Sequence, residues 1–290
     1  MSDDASTDVK PDGQAGGQAE GQAGGQAEAQ AGVRAAPEGV LDVLTVPTSH
    51  QGYPGVAFGG YVAGVLAGRA AARTVRVDFR AATPVDAPLL LGGLAGGGAR
   101  LTDEKGAVLA TATPAPDLPL SGAPDAPSWE QAAAATEAFR TTGLTGLAED
   151  GTVVDCFGCG PRPPGRGLRQ HCMPVPGRDV VATAWTAHPA FADARGLLRE
   201  ELLWAVLDCP TAWAGVHAGS LRPGAVTASL TATLLRPVAA GEEHITHAWP
   251  ISTAGRKHTM GVAVSTAGGQ LCALGEALWI EPREERGRRG

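Results

Sequence analysis

The chain has 290 residues, of which 43% are hydrophobic but only 4% aromatic, and it carries a formal charge of −7. That length suffices for two modest domains and a tail, with cores filled mainly by Ala, Val and Leu. The acidic balance argues against nucleic acid as a partner, because phosphate binding rests on a basic surface.

Residues 1–39 include a degenerate repeat, GGQAEGQAGGQAEAQAG, with almost no apolar side chain beyond alanine. Such a segment cannot bury enough surface to offset its ordering, so it reads as a disordered low-complexity tail. The opening MSDDASTD is acidic and lacks an apolar run, so neither a secretory nor a transit signal is expected. The longest apolar stretch, residues 56–68, is too short and glycine-rich to span a bilayer, which takes ~20 residues. No membrane association is expected, and five cysteines without an export signal suggest reduced thiols in a cytoplasm.

Order is expected from about Val40, with a first strand over residues 41–46 and a loop to Pro54. GVAFGGYVAGVLAGRAAAR, residues 55–73, reads as a helix opened by Gly59 and Gly60. Gly60, Gly64 and Gly68 recur every four residues and leave one face without side chains. That face allows close packing of a sheet or a second helix, and the Gly59-Gly60 amides at the helix start are an alternative anion or carbonyl site. TVRVDFRA (74–81) alternates as a half-buried strand does, and short strands follow over 89–94, 98–102 and 108–113.

Residues 114–150 form a Pro-rich linker containing a short helix, capped by Ser128 with Gln131 three residues on. A second unit opens at DCFGCGP (155–161), with a strand over 179–186. A long helix is expected over GLLREELLWAVLDCPTAW (196–213). Glu201, Ala205 and Asp208 line up on it, and Pro210 should kink or end it. Strands over 226–235, 244–251, 261–266 and 271–280 complete an α+β chain in which strand, helix and meander occur twice.

A glycine pair opening a helix ahead of an antiparallel meander resembles the hotdog fold. The likeness lies in GVAFGGYVAGVLA (55–67), in residues 75–84, and in GQLCALGEALW (269–279). The two copies, 40–113 and 151–282, resemble the double-hotdog proteins related to type II acyl-CoA thioesterases, with a charged tail over 283–290. That resemblance implies two long helices wrapped by antiparallel sheets in an intrachain pseudo-dimer, an acyl tunnel, and hydrolysis of an acyl-CoA or acyl-carrier-protein thioester. Asp208 matches the family's general base or nucleophile, and Thr227 matches the threonine that helps hold water. The Gly60 amide would meet the oxyanion, so that one composite site draws on both copies. Phe58, Gly59, Tyr61 and Trp204 are expected to line the substrate site. Two departures stand out: Phe58 replaces a histidine common before the glycine pair, and no glutamine falls within 274–281. A binding protein without catalysis is therefore the alternative. Acyl length, carrier and homo-oligomerisation stay open.

No cofactor is expected. Cys156 and Cys159 with His171 and Cys172 could ligate zinc, but adjacent side chains rarely converge on one ion, so a structural turn and no metal are expected. His188 and Asp193 read as an ordinary loop, and no Gly-x-Ser-x-Gly elbow is present. The tail REERGRRG reads as a solvated charge run, with a role in holding CoA phosphates as its alternative.

Overall fold

A computed structural model describes residues 42–142, 155–222 and 224–283. The low-complexity tail and most of the charged C-terminus lie outside these residues. In chain order the elements are β1 (Asp42–Leu44), α1 (Gly59–Ala67), β2 (Thr74–Phe79), β3 (Leu89–Leu94), β4 (Gly98–Thr102) and β5 (Val108–Pro114). Next come α2 (Trp129–Thr142), β6 (Met173–Pro174), β7 (Val181–Thr186), α3 (Glu200–Val206) and α4 (Cys209–His217). A meander of β8 (Val226–Leu234), β9 (Glu243–Ala254), β10 (Lys257–Thr266) and β11 (Leu271–Ile280) closes the chain. This is the expected α+β arrangement.

All the strands join one sheet in the order β1-β3-β4-β5-β2-β8-β11-β10-β9-β7-β6. Its seam is the antiparallel pair β2 and β8, with Thr74 opposite Thr233 and Val77 opposite Leu230. Outward from the seam, one half reads β2, β5, β4, β3, β1 and the other β8, β11, β10, β9, β7, with the short β6 added at its outer edge. Each half therefore follows the same path, with the strand after its helical segment innermost. The seam is held by physics visible in β2: Val75 and Val77 are buried on one face, while Arg76 and Asp78 form an ion pair on the other at 2.8 Å. The Thr74 and Thr233 hydroxyls meet across the seam at 2.7 Å.

The two halves also meet through their helices. α1 and α3 run antiparallel, since Gly60 faces Ala205 and Asp208 while Gly64 faces Glu201. A Cβ on Gly60 would lie 2.9 Å from the Ala205 Cα, and one on Gly64 would come within 2.6 Å of the Glu201 carbonyl oxygen. The close approach exists because those positions carry no side chain. Gly68 takes no part in it; the nearest atom to a Cβ there is 3.5 Å away.

The long helix expected over 196–213 is two helices. α3 begins at Glu200 and ends at Val206, and α4 begins at Cys209. Pro210 offers no N–H to the Val206 carbonyl, and the ladder is interrupted there. The break falls just before the proline, with Asp208 at the joint, and Thr211 closes the new first turn by donating its amide to the Asp208 carbonyl at 3.0 Å. β6 is two residues long and has no pattern to read in sequence.

α2 is more than a passing turn of a linker. Ser128 and Gln131 form the reciprocal cap, with the Gln131 amide donating to Ser128 Oγ at 3.2 Å and the Ser128 amide to Gln131 Oε1 at 3.0 Å. Along β10, Val262 and Val264 face the main core, whereas Ala263 joins a second core with Ala132 of α2, Val180, Ile245, Trp249 and Leu274. The C-terminal half of the sheet is thus buried on both faces, which is why β10 lacks polar alternation.

His247 of β9 sits on that second face, fully buried, with its Nε2 donating to the Pro124 carbonyl at 3.1 Å. Burial drives its pKa down to about 4, against the opposing pull of that hydrogen bond. Because the folded value lies below that of the unfolded chain, stability is fully present above about pH 6.5 and is lost as pH falls toward 4. Between pH 7 and 5 this one imidazole should cost about 2 kcal/mol of unfolding free energy. Denaturant titrations at the two pH values should show His247→Gln losing less stability on acidification than the parent by about that amount. A second expectation concerns the helix crossing: Gly64→Ala should destabilise by about 1–3 kcal/mol through overpacking. Gly68→Ala should be neutral or stabilising by up to about 1 kcal/mol. Equal effects of the two substitutions in denaturant melts would contradict the crossing.

Candidate active site

Asp208 occupies the joint between α3 and α4 and is 2% exposed. Its Oδ2 accepts the Gly60 amide at 2.7 Å, and its Oδ1 accepts the Thr227 hydroxyl at 2.8 Å. One bond comes from the first turn of α1, the other from the first residues of β8, so three elements hold the carboxylate. Burial raises its pKa to about 6; the Thr227 and Gly60 hydrogen bonds oppose that rise, and the nearby Cys156 sulfur adds to it. A carboxylate tuned toward neutrality is suited to proton transfer near physiological pH.

The carboxylate faces a cavity of about 400 Å³, within the range of small-molecule sites. Aromatic and aliphatic side chains dominate its wall, including Phe58, Val62, Phe79, Trp213, Leu221 and Trp279. Gly59 lies directly over the acid: a Cβ there would be 3.1 Å from Asp208 Oδ2 and 3.8 Å from Thr227 Oγ1. Its missing side chain leaves space for a reacting group beside the carboxylate. Trp279 is fixed by donating its indole N–H to Thr211 Oγ1 at 2.8 Å, and Tyr53 by donating its hydroxyl to the Ala225 carbonyl at 3.1 Å. Arg80 and Arg222 also line the cavity, and Arg222 is ion-paired with Glu281 at 2.9 Å.

Gly60 and Asp208, expected to supply one site from two halves of the chain, do meet. Their relation differs from the expected one, however, because the Gly60 amide is spent on the carboxylate itself. Gly60 positions the acid; it is not aimed at an oxyanion. Phe58 and Gly59 line the cavity, as does Thr227. Tyr61 and Trp204 lie outside the described wall. Tyr61 is turned around α1 to pack against His50, ring centroids 4.7 Å apart. Trp204 is buried in the main core. No glutamine is among the described lining residues. His188 caps a single 3-10 turn by accepting the Ala190 amide at 3.1 Å, and Asp193 closes a tight turn with Leu197 and Arg195. Both are ordinary loop residues.

Sequence spacing missed the sulfur chemistry of the wall. Cys156 and Cys159 do not meet His171 and Cys172; they meet Cys209, and the three sulfurs lie within 4.8 Å of one another. His171 instead stacks on Phe139 at 4.5 Å and bonds the Gly160 carbonyl. The thiol of Cys209 was legible only as the residue beside Asp208, since 50 residues separate it from Cys159.

No family model matches the chain, and no curated protein matches it. Among solved structures it is similar to a protein of Novosphingobium aromaticivorans described as a candidate thioesterase, at 16% identity and TM-score 0.54, over 83% of this chain and 95% of that one. It is similar as well to the tesB protein of Mycobacterium avium subsp. paratuberculosis, at 13% identity and TM-score 0.53, over 83% and 93% of the two chains. Both likenesses cover 83% of this chain, and on that ground the chain has a hotdog fold.

Proposed function

We propose that the chain is an acyl-thioester hydrolase, built from two hotdog repeats (40–113 and 151–282) that pack as a pseudo-dimer across the β2–β8 seam. The observation that carries this reading is a buried carboxylate, Asp208, hydrogen-bonded by Gly60 and Thr227 and facing an apolar cavity of about 400 Å³. The cavity takes the acyl group, and Arg80 lies where the polar carrier, coenzyme A or acyl carrier protein, would leave it. Asp208 accepts a proton from a water held with the help of Thr227, and the water oxygen bonds to the thioester carbonyl carbon. As the C–S bond breaks, the proton held by Asp208 passes to the departing sulfur, leaving a carboxylic acid, a free thiol and the original carboxylate. With the Gly60 amide engaged by Asp208, the oxyanion falls to the positive end of α1, where Gly59 is the remaining glycine on the wall. Five free thiols suit a reducing cytoplasm. Among the described residues no helix is long and apolar enough to cross a membrane.

The second reading, a binding protein for acyl thioesters, is favoured by two features of the wall: phenylalanine at position 58 and no glutamine among the described lining residues. A thiol-trap assay over acyl-CoA and acyl-carrier-protein panels separates the two. Turnover by the parent, reduced ~100-fold or more in Asp208→Asn with acyl-thioester binding retained, is the outcome expected of the hydrolase. Saturable binding with no turnover in the parent favours the binding protein, and an Asp208→Asn variant as fast as the parent removes Asp208 from the chemistry.

A further inference from the structure

Three cysteines on the cavity wall come from two separate places in the sequence. Cys156 and Cys159 belong to the turn CFGCG, and Cys209 is the first residue of α4. Their sulfurs all lie within 4.8 Å of one another, and those of Cys156 and Cys209 are 3.7 Å apart. A tetrahedral zinc site with Zn–S bonds of about 2.3 Å has sulfur–sulfur edges of about 3.8 Å, so the triangle is already close to that size.

The turn is shaped to present its sulfurs inward. The Gly158 amide donates to Cys156 Sγ at 3.3 Å, a bond that strengthens when the sulfur is a thiolate. The Gly160 amide donates to the Cys156 carbonyl at 2.8 Å and closes the loop. Both glycines are required sterically. A Cβ on Gly158 would lie 2.6 Å from Cys209 Sγ, and one on Gly160 would lie 2.7 Å from the Cys156 nitrogen. A side chain at 158 would therefore push the third sulfur away from the other two.

We propose that Cys156, Cys159 and Cys209 bind one zinc ion through three thiolates, with the fourth coordination position directed at the cavity. All three residues are buried yet line that cavity, which gives the ion a route in and leaves room for a water or a thiol ligand. A compact set of soft sulfur donors selects zinc over magnesium or calcium, which take oxygen. The divalent charge also offsets two of the three thiolate charges, which would otherwise be costly together in an apolar wall. The proposal stands on the geometry of the sulfurs and is independent of hydrolysis by Asp208.

The test uses the full chain, reduced and freed of metal, then titrated with zinc against a competing chelator and with cobalt as a spectroscopic probe. One equivalent should bind, and the cobalt form should show thiolate-to-metal charge-transfer absorption. Cys156→Ser, Cys159→Ser and Cys209→Ser should each weaken zinc binding by more than the ~10–100-fold that outer-sphere changes cost. Cys172→Ser and Cys272→Ser should bind as the parent does. Circular dichroism reports whether each variant folds. Should a serine variant unfold, zinc-dependent protection from alkylation in the parent, mapped by mass spectrometry, decides: it should fall on Cys156, Cys159 and Cys209 alone. A reduced parent chain that binds neither metal stoichiometrically, binding that survives all three substitutions, or protection centred on other cysteines would overturn the site. A chain that binds zinc but hydrolyses nothing keeps this site and loses the proposed reaction.

Discussion

The hydrogen bond from the Gly60 amide to Asp208 couples the two halves of the molecule at the cavity. It forms only because α1 and α3 run antiparallel at close range, which brings the first turn of α1 beside the end of α3. That range is set by glycine at 60 and 64; any larger side chain would meet the backbone of α3. A packing constraint and an electrostatic one therefore share the same residues. The stripe of small residues draws the helices together, and the closeness then places a backbone donor on a buried acid.

The sheet makes that arrangement rigid. With β2 paired to β8, the strand carrying Thr227 continues into the same hydrogen-bonded ladder that carries the first half of the chain. Thr227 reaches Asp208 from the sheet side while Gly60 reaches it from the helix side. The acid is then fixed by groups that cannot shift without disturbing the central seam. A carboxylate buried this deeply would be costly without those two bonds, and with them it keeps a pKa of about 6.

The break between α3 and α4 serves the site as well as the fold. It turns Asp208 toward the cavity and lets Cys209 open a new helix against the CFGCG turn. Trp204, on α3 before the break, is buried in the core.

Local pattern carried much of this protein. Alternation in residues 74–79, the Ser128–Gln131 cap and the glycine stripe of α1 were all legible, because each depends on residues a few positions apart. Asp208 and Thr227 stood out through likeness to a known motif, and Gly60 through its place at a helix start. The tertiary structure decided what those residues do. It set the Gly60 amide against the carboxylate, left Tyr61 and Trp204 outside the cavity wall, and brought Cys209 beside Cys156 and Cys159. Each of these outcomes depends on how two segments distant in sequence cross, and a crossing is fixed by packing between side chains that share no local period.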